Sequence, residues 1–244
     1  MKKFYVFPDL NWYSLNMYSR FCIPDVKPLI DKAIYLDVDI ILKSDILNLY
    51  DVDIKNYPLA AVVGEKKYLN DKFFVNHIRN LGINDSHIYF GSGVLLINCD
   101  LWRRNKYFEN LLKIVLKQKE ILKYPDQDAL NILFQNNYKR LDLNWNRDIK
   151  CLEEEYKQKK DVLDNVFLIH YDGQRKPWNS KVFASEYFFY YAKFTDFEDE
   201  LQQERNKLLN SVKYIFLWKY LYKISIPPFR KYFKKKYKVL KNYI

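Results

Sequence analysis

Residues 33–42 read AIYLDVDIIL, eight apolar side chains with Asp37 and Asp39 set among them. So apolar and partly β-branched a run predicts a core strand. Residues two apart in a strand share a face, so the two carboxylates converge and Val38 faces the opposite layer. An ionised carboxylate in apolar surroundings loses several kcal/mol of hydration unless a positive group meets it. Two such groups side by side either raise one pKa or take a cation between them. A hard divalent ion, Mn²⁺ or Mg²⁺, accepts carboxylate oxygens and bridges phosphates. The plainer alternative is a pair at a strand end, solvated or bridged to Lys or Arg. An EF-hand is excluded, because Asp39 is followed by Ile40, Ile41 and Leu42 rather than by a further ligand and a glycine. A second pair, Asp51 and Asp53, has no apolar strand before it and reads as surface loop.

The remaining apolar runs place this strand in an α/β domain. "PLAAVVG", ending at Gly64, reads as a core strand, "HIYFGSGVLLINCDLWRR" as a strand pair or a bent strand closing at a cap near Asp100, and "KRLDLNWN" and "VFLIHY" as two more strands. A helix ending before Pro24 precedes the acidic strand, and a short one around "SDILNLY" follows it, with Ser44 or Asp45 as cap. One long amphipathic helix is predicted through 101–122, and another starts at "YPDQDALN" with Pro125 and Asp126 at its N-terminal end. The charged segment "EEEYKQKKD" reads as a connector. Strands alternating with helices give a sheet flanked by helices.

Only three histidines are present. His77 and His87 lie in polar segments that read as exposed. His170 ends the strand "VFLIH", and ligands of open α/β sheets gather at the carboxyl ends of strands. An imidazole there is able to complete a metal site with Asp37 and Asp39, although a lone histidine is more often a satisfied structural side chain. Three well-separated cysteines without a CxxC pair point away from zinc or disulfides and toward a reducing compartment. "MKKFYVFPDL" has no apolar core of a signal peptide.

The formal charge of +11 belongs to the end of the chain. Residues 211–244 hold ten Lys or Arg, ten aromatics and no acid, leaving 31 bases against 30 acids elsewhere. Aromatics interleaved with lysine suit the headgroup layer of an anionic membrane, and no run here is long and apolar enough to span one. A solvated basic helix pair is the alternative. No nucleic-acid recognition fold accompanies the charge, so nucleic acid is not expected as a partner. The division expected is 1–195 for the α/β domain and 196–244 for a helical basic tail.

Four blocks in order carry a family resemblance: "YSRFCIPDVKPLIDKAIYLDVDII", "YFGSGVLLINCDLWR", "YPDQDALN" and "HYDGQRKPW". Together they resemble glycosyltransferase family 8, from about Tyr18 to Trp178. The resemblance implies a GT-A-like, Rossmann-like mixed sheet flanked by helices. It implies retaining, metal-dependent transfer of a hexose from UDP-galactose or UDP-glucose to a surface glycan or glycolipid, as in bacterial lipopolysaccharide and capsule synthesis. Carried over by position, Asp37, Asp39 and His170 bind Mn²⁺ or, alternatively, Mg²⁺. Asp37 and Val38 lie near the ribose and base, with Arg20 as a donor-side cation. Gly173 and Lys176 hold the diphosphate; Asp126 and Gln127 line the sugar, Asp126 on hydroxyls and Gln127 facing the anomeric carbon. The place implied is cytoplasmic, peripheral on the inner face of the plasma membrane.

Two departures stand out. Gly91 occupies a position where the family commonly has Asn, removing one hydrogen bond to the donor sugar. Some thirty residues precede the acidic strand, which reads as an N-terminally short chain lacking the family's nucleotide-binding strands. A non-catalytic fragment that keeps the fold is therefore the rival expectation, and a phosphotransferase with Asp37 as nucleophile is a third.

Overall fold

The computed structural model describes residues 7–8, 15–65, 69–207 and the single positions 210, 219 and 234. These separate into two compact units, Met1–His170 and Tyr171–Ile244.

The first unit is built on two mixed sheets. In the larger, β1 (Lys32–Leu36) pairs antiparallel with β4 (Phe90–Asn98), β4 with β3 (Leu59–Val63), and β3 runs parallel to the short β5 (Lys139–Arg140). In the smaller, β2 (Ile40–Leu42) is antiparallel to β7 (Leu168–His170), which runs parallel to β6 (Arg147–Asp148).

The continuous apolar runs of β3 and β4 make sense once both faces of the larger sheet are covered. Leu59, Ala61, Leu95 and Ile97 point into a core shared with Phe21, Trp102, Leu111 and Leu130 from the flanking helices. Ala60, Val62, Val94 and Leu96 alternate with them and meet Leu49, Trp145 and Leu168 on the other side. These central strand residues are all but inaccessible, the condition under which a strand loses its polar face.

Helices cover the sheets: α1 (Ser19–Val26), α2 (Leu47–Tyr50), α3 (Lys72–Asn80), α4 (Cys99–Arg104), α5 (Tyr107–Gln118), α6 (Pro125–Leu133) and α7 (Ile149–Gln158). Asn98, rather than Asp100, caps α4, its side chain accepting from Leu101 N. Trp102 then donates to Pro58 O at 2.7 Å, locking α4 to the entry of β3. Ile46, not the expected Ser44 or Asp45, stands at the N-cap of α2 and makes no side-chain cap bond, while Asp45 Oδ1 accepts from Leu47 N just before it.

Several sequence expectations are corrected. The acidic run is not one strand: β1 ends at Leu36, β2 begins at Ile40, and Asp37–Asp39 form the passage between two sheets. Val38 accordingly faces solvent, 98% exposed, instead of an opposite layer. Helix α1 carries Pro24 inside it and ends at Val26. The predicted long helix is two, broken at Lys106, whose φ of 53° is left-handed and cannot continue a helix. "KRLDLNWN" is mostly a loop around the 3-10 turn Leu143–Trp145, and two thirds of the charged connector is the C-terminal part of α7. His77 and His87 are buried, not exposed.

In the second unit, α8 (Ser185–Ala192) begins after Ala184, whose φ is 53°. Among the described residues no helix is long and apolar enough to cross a membrane. The basic tail at 211–244 lies outside the described residues except for positions 219 and 234.

Candidate functional site

The break between β1 and β2 puts Asp37 and Asp39 at the junction of the two sheets. There β7 delivers His170, whose Cα pairs with Ile40 on one side and Asp148 on the other. His170 Nε2 lies 3.2 Å from Asp39 Oδ1 and 3.8 Å from Asp37 Oδ2. One ligand atom from each residue falls within 4.8 Å of the other two. Two hard carboxylates and an imidazole at that spacing fit a divalent cation such as Mn²⁺ or Mg²⁺. Residues separated by some 130 positions in sequence thus meet as the acidic pair required.

Gly93 supports this junction by having no side chain. A Cβ there would stand 2.4 Å from His170 Cε1 and 2.9 Å from Asp37 Oδ2, both far inside contact distance. The Gly93 carbonyl accepts from Asp37 N at 2.9 Å, continuing the β1–β4 ladder one residue past the strand end.

Arg20 answers the second half of the charge problem. Its Nη2 donates to Asp37 Oδ1 and to Tyr35 Oη, both at 2.8 Å. Its Nη1 meets Asp126 Oδ2 at 2.8 Å and Ser92 O at 2.6 Å. Tyr35 Oη also donates to Asp37 Oδ1 at 2.7 Å, and its ring lies 4.3 Å beneath the guanidinium. Burial opposes the Arg20 charge, but Asp126 and Asp37 outweigh it and its pKa is raised. The guanidinium therefore bridges two carboxylates inside the protein, 4% exposed.

Helix α6 carries the other two expected residues. Burial raises the Asp126 carboxyl above its usual range, against Arg20 and the Ser92 hydroxyl, which donates at 2.8 Å. Gln127 Oε1 accepts from Ser92 N at 3.0 Å and its Nε2 approaches Tyr89 Oη at 3.4 Å. Ser92 thus contacts Arg20, Asp126 and Gln127 together. Asp37, Asp39, His170, Arg20, Asp126 and Gln127 are brought into one connected group, with Gly91 beside Gln127.

Ser92, Gly93 and Tyr35 were not among the expected site residues. Tyr35 could have been found, since it precedes Asp37 by two positions on the same strand face. Gly93 acts through an absent side chain, and Ser92 through its backbone amide and carbonyl together with a hydroxyl that nothing in the sequence sets apart from other serines.

Gly173 and Lys176, given to the diphosphate by the resemblance, belong to the second unit. There Gly173 has a φ of 90°, open to glycine and strained for other residues, and Lys176 Nζ donates to Tyr171 O at 2.7 Å.

Residues 2–182 match the model of Glycosyl transferase family 8. General stress protein A of Bacillus subtilis is 28% identical over 188 residues, covering 71% of this chain and 63% of that protein. The lipopolysaccharide 1,2-glucosyltransferase of Escherichia coli K12 is 30% identical over 182 residues, 70% of this chain and 52% of that one. The crystal structure of the galactosyltransferase LgtC with donor and acceptor sugar analogs superposes with a TM-score of 0.68 at 26% identity, covering 80% of this chain and 73% of LgtC. The chain therefore spans roughly half to two thirds of the curated relatives' lengths, and the α/β, GT-A-like architecture expected from the sequence is the one observed. On the family match over most of its length, with the acidic pair and His170 assembled at the sheet junction, the chain belongs to glycosyl transferase family 8.

Proposed function

We propose that this protein transfers a hexose, galactose or glucose, from a UDP-sugar to a glycan or glycolipid acceptor with retention of configuration, using Mn²⁺ or Mg²⁺. The observation that carries this reading is the convergence of Asp37, Asp39 and His170 over a glycine where any Cβ would force His170 or Asp37 to shift. A divalent ion held there supplies Lewis-acid stabilisation to the departing diphosphate.

The residues of the chain divide the remaining work. Arg20 pairs with Asp126 in a buried setting and opposes the upward pull of burial on its carboxyl, whose oxygens are assigned to the sugar hydroxyls. Ser92 N fixes Gln127 Oε1, setting the carboxamide beside Gly91. A carboxamide is a poor nucleophile, so Gln127 supports the cationic sugar instead of bonding to it. The bond from the anomeric carbon to the phosphate oxygen breaks with its electron pair on the oxygen. The acceptor oxygen attacks from the same face and passes its proton to the departing phosphate. In this reading Gly173 and Lys176 keep the diphosphate role that the resemblance implies, and residues 211–244 contact the inner face of an anionic membrane.

The test is release of UDP from UDP-galactose and UDP-glucose by the purified chain. Mn²⁺-dependent release is expected, abolished by chelation and by Asp39→Asn and reduced about 100-fold by Gln127→Ala. Release indifferent to chelator, or none from either donor, refutes the proposal.

A further inference from the structure

His170 faces two directions. Neutral imidazole carries its proton on one nitrogen and a lone pair on the other, and only the lone pair can ligate a metal. Nε2 is turned toward Asp39 and Asp37. Nδ1 meets Asn146 Oδ1 at 2.8 Å, an oxygen that can only accept. The amide nitrogen of Asn146 is turned the other way, 3.2 Å from where a Cβ on Gly91 would stand.

We propose that Asn146 is a positioning residue that keeps the proton on His170 Nδ1 and so presents the Nε2 lone pair to a divalent cation. This inference rests on the cation reading above. Were the amide reversed, its N–H would donate to Nδ1, the ring proton would sit on Nε2, and His170 would be a donor to Asp39 instead of a ligand beside it. Outer partners of this kind fix the tautomer and ring plane of metal-binding histidines.

The setting of Asn146 fits that task. It follows the 3-10 turn Leu143–Trp145, and its own N–H donates to Leu143 O at 3.1 Å. Trp145, 5% exposed, anchors the turn in the core between the sheets, its ring 5.1 Å from Phe167. Immediately after Asn146 the chain enters β6, where Asp148 pairs with His170 itself. The side chain is therefore held from both ends over the neighbouring strand. Gly91 leaves it room: any side chain there would press on the Asn146 amide. The glycine that departs from the family pattern is thus matched to the residue that orients His170.

Two measurements test the assignment. Nitrogen-15 spectra of the metal-free chain, with only three histidines to assign and His170→Gln as reference, are expected to show a protonated Nδ1 on His170. Asn146→Ala should move that proton to Nε2. Titration of Mn²⁺ followed by electron paramagnetic resonance should show affinity about 10–100-fold weaker in Asn146→Ala. Asn146→Asp, which keeps an accepting oxygen at the same place, should stay within a few-fold of the wild type. An unprotonated Nδ1 in the wild-type spectrum overturns the proposal, as does wild-type Mn²⁺ affinity in Asn146→Ala. If Asn146→Ala does not fold, the wild-type spectrum and Asn146→Asp still decide. If the wild type binds no Mn²⁺, the cation reading falls, while the spectrum separately judges what Asn146 does to the ring.

Discussion

His77 with Asp128, and His170 with Asp37 and Asp39, are made of the same residue types and lie in the same unit, yet their carboxylates are satisfied in opposite ways. Asp128 is fully buried and surrounded by donors: Tyr89 Oη at 2.5 Å, Lys123 N at 2.8 Å, Tyr124 N at 2.9 Å and His77 Nε2 at 3.0 Å. Every direction of that carboxylate ends on an N–H or O–H, so it has no room or need for a cation. Asp37 has donors from Arg20 and Tyr35 on one oxygen, while its other oxygen faces an imidazole nitrogen at 3.8 Å. Asn146 takes the only proton that imidazole carries when neutral. An internal network therefore closes the first group, and the second presents oxygens and a lone pair to one another, an arrangement that a positive ion completes.

This contrast makes opposite demands on stability and binding. The largest effect is expected from Asp128→Asn, which leaves several buried donors facing an amide and removes the charge beside His77. Breaking a buried, hydrogen-bonded group of this kind costs roughly 3–5 kcal/mol. Urea unfolding measures it, and Asp39→Asn is the control, expected within about 0.5–1 kcal/mol of the wild type. A comparable loss in both would erase the distinction between the two groups.

Gly93→Ala should act in the reverse sense. Its Cβ would collide with His170 and Asp37, so Mn²⁺ affinity is expected to fall about 100-fold, at the upper end of what displaced metal-site geometry costs. The Asp128 network is not touched by that Cβ, and near-ultraviolet circular dichroism of the aromatic side chains around it should remain unchanged. Undiminished Mn²⁺ binding in Gly93→Ala would mean that the ion does not sit at the sheet junction.

The smallest effect concerns a third histidine. His87 is buried, its Nε2 against Asn131 Oδ1 at 2.9 Å and its Nδ1 accepting from Asn136 N at 3.1 Å. Burial lowers its pKa, with the Arg140 charge acting in the same direction, against the hydrogen bonds to Asn131 and Asn136. The unfolded chain then binds the proton more readily, so the contribution is complete above about pH 6.5 and fades as the pH falls through the folded value. His87→Gln should flatten that part of the stability–pH curve relative to the wild type; parallel curves would exclude it.

Much of this was legible in the residues. Apolar runs announced β3, β4 and β7, because strands buried on both faces have no polar side to disguise them. Asp37, Asp39 and His170 stood out because charged or titratable groups beside apolar strands need a reason. The lengths of short elements were not legible. The acidic run reads as a single strand, since the choice between one sheet and two depends on what β7 brings alongside. The burial of His77 and His87 was equally hidden, because neither lies on an apolar face; each is carried inward by partners from α6 or the turn after α6, more than 40 positions away.

The amino-acid sequence by itself determined the class of fold, the family and the identity of the acids and the imidazole, since these depend on local pattern and residue chemistry. Tertiary structure alone decided that Arg20 spends its charge on two carboxylates, that Ser92 matters through its hydroxyl and backbone and Gly93 through an absent side chain, and that Asn146 reaches His170. The physical reason is that hydrogen-bond direction and close approach are properties of atoms brought together by folding, and no residue carries them before its neighbours arrive.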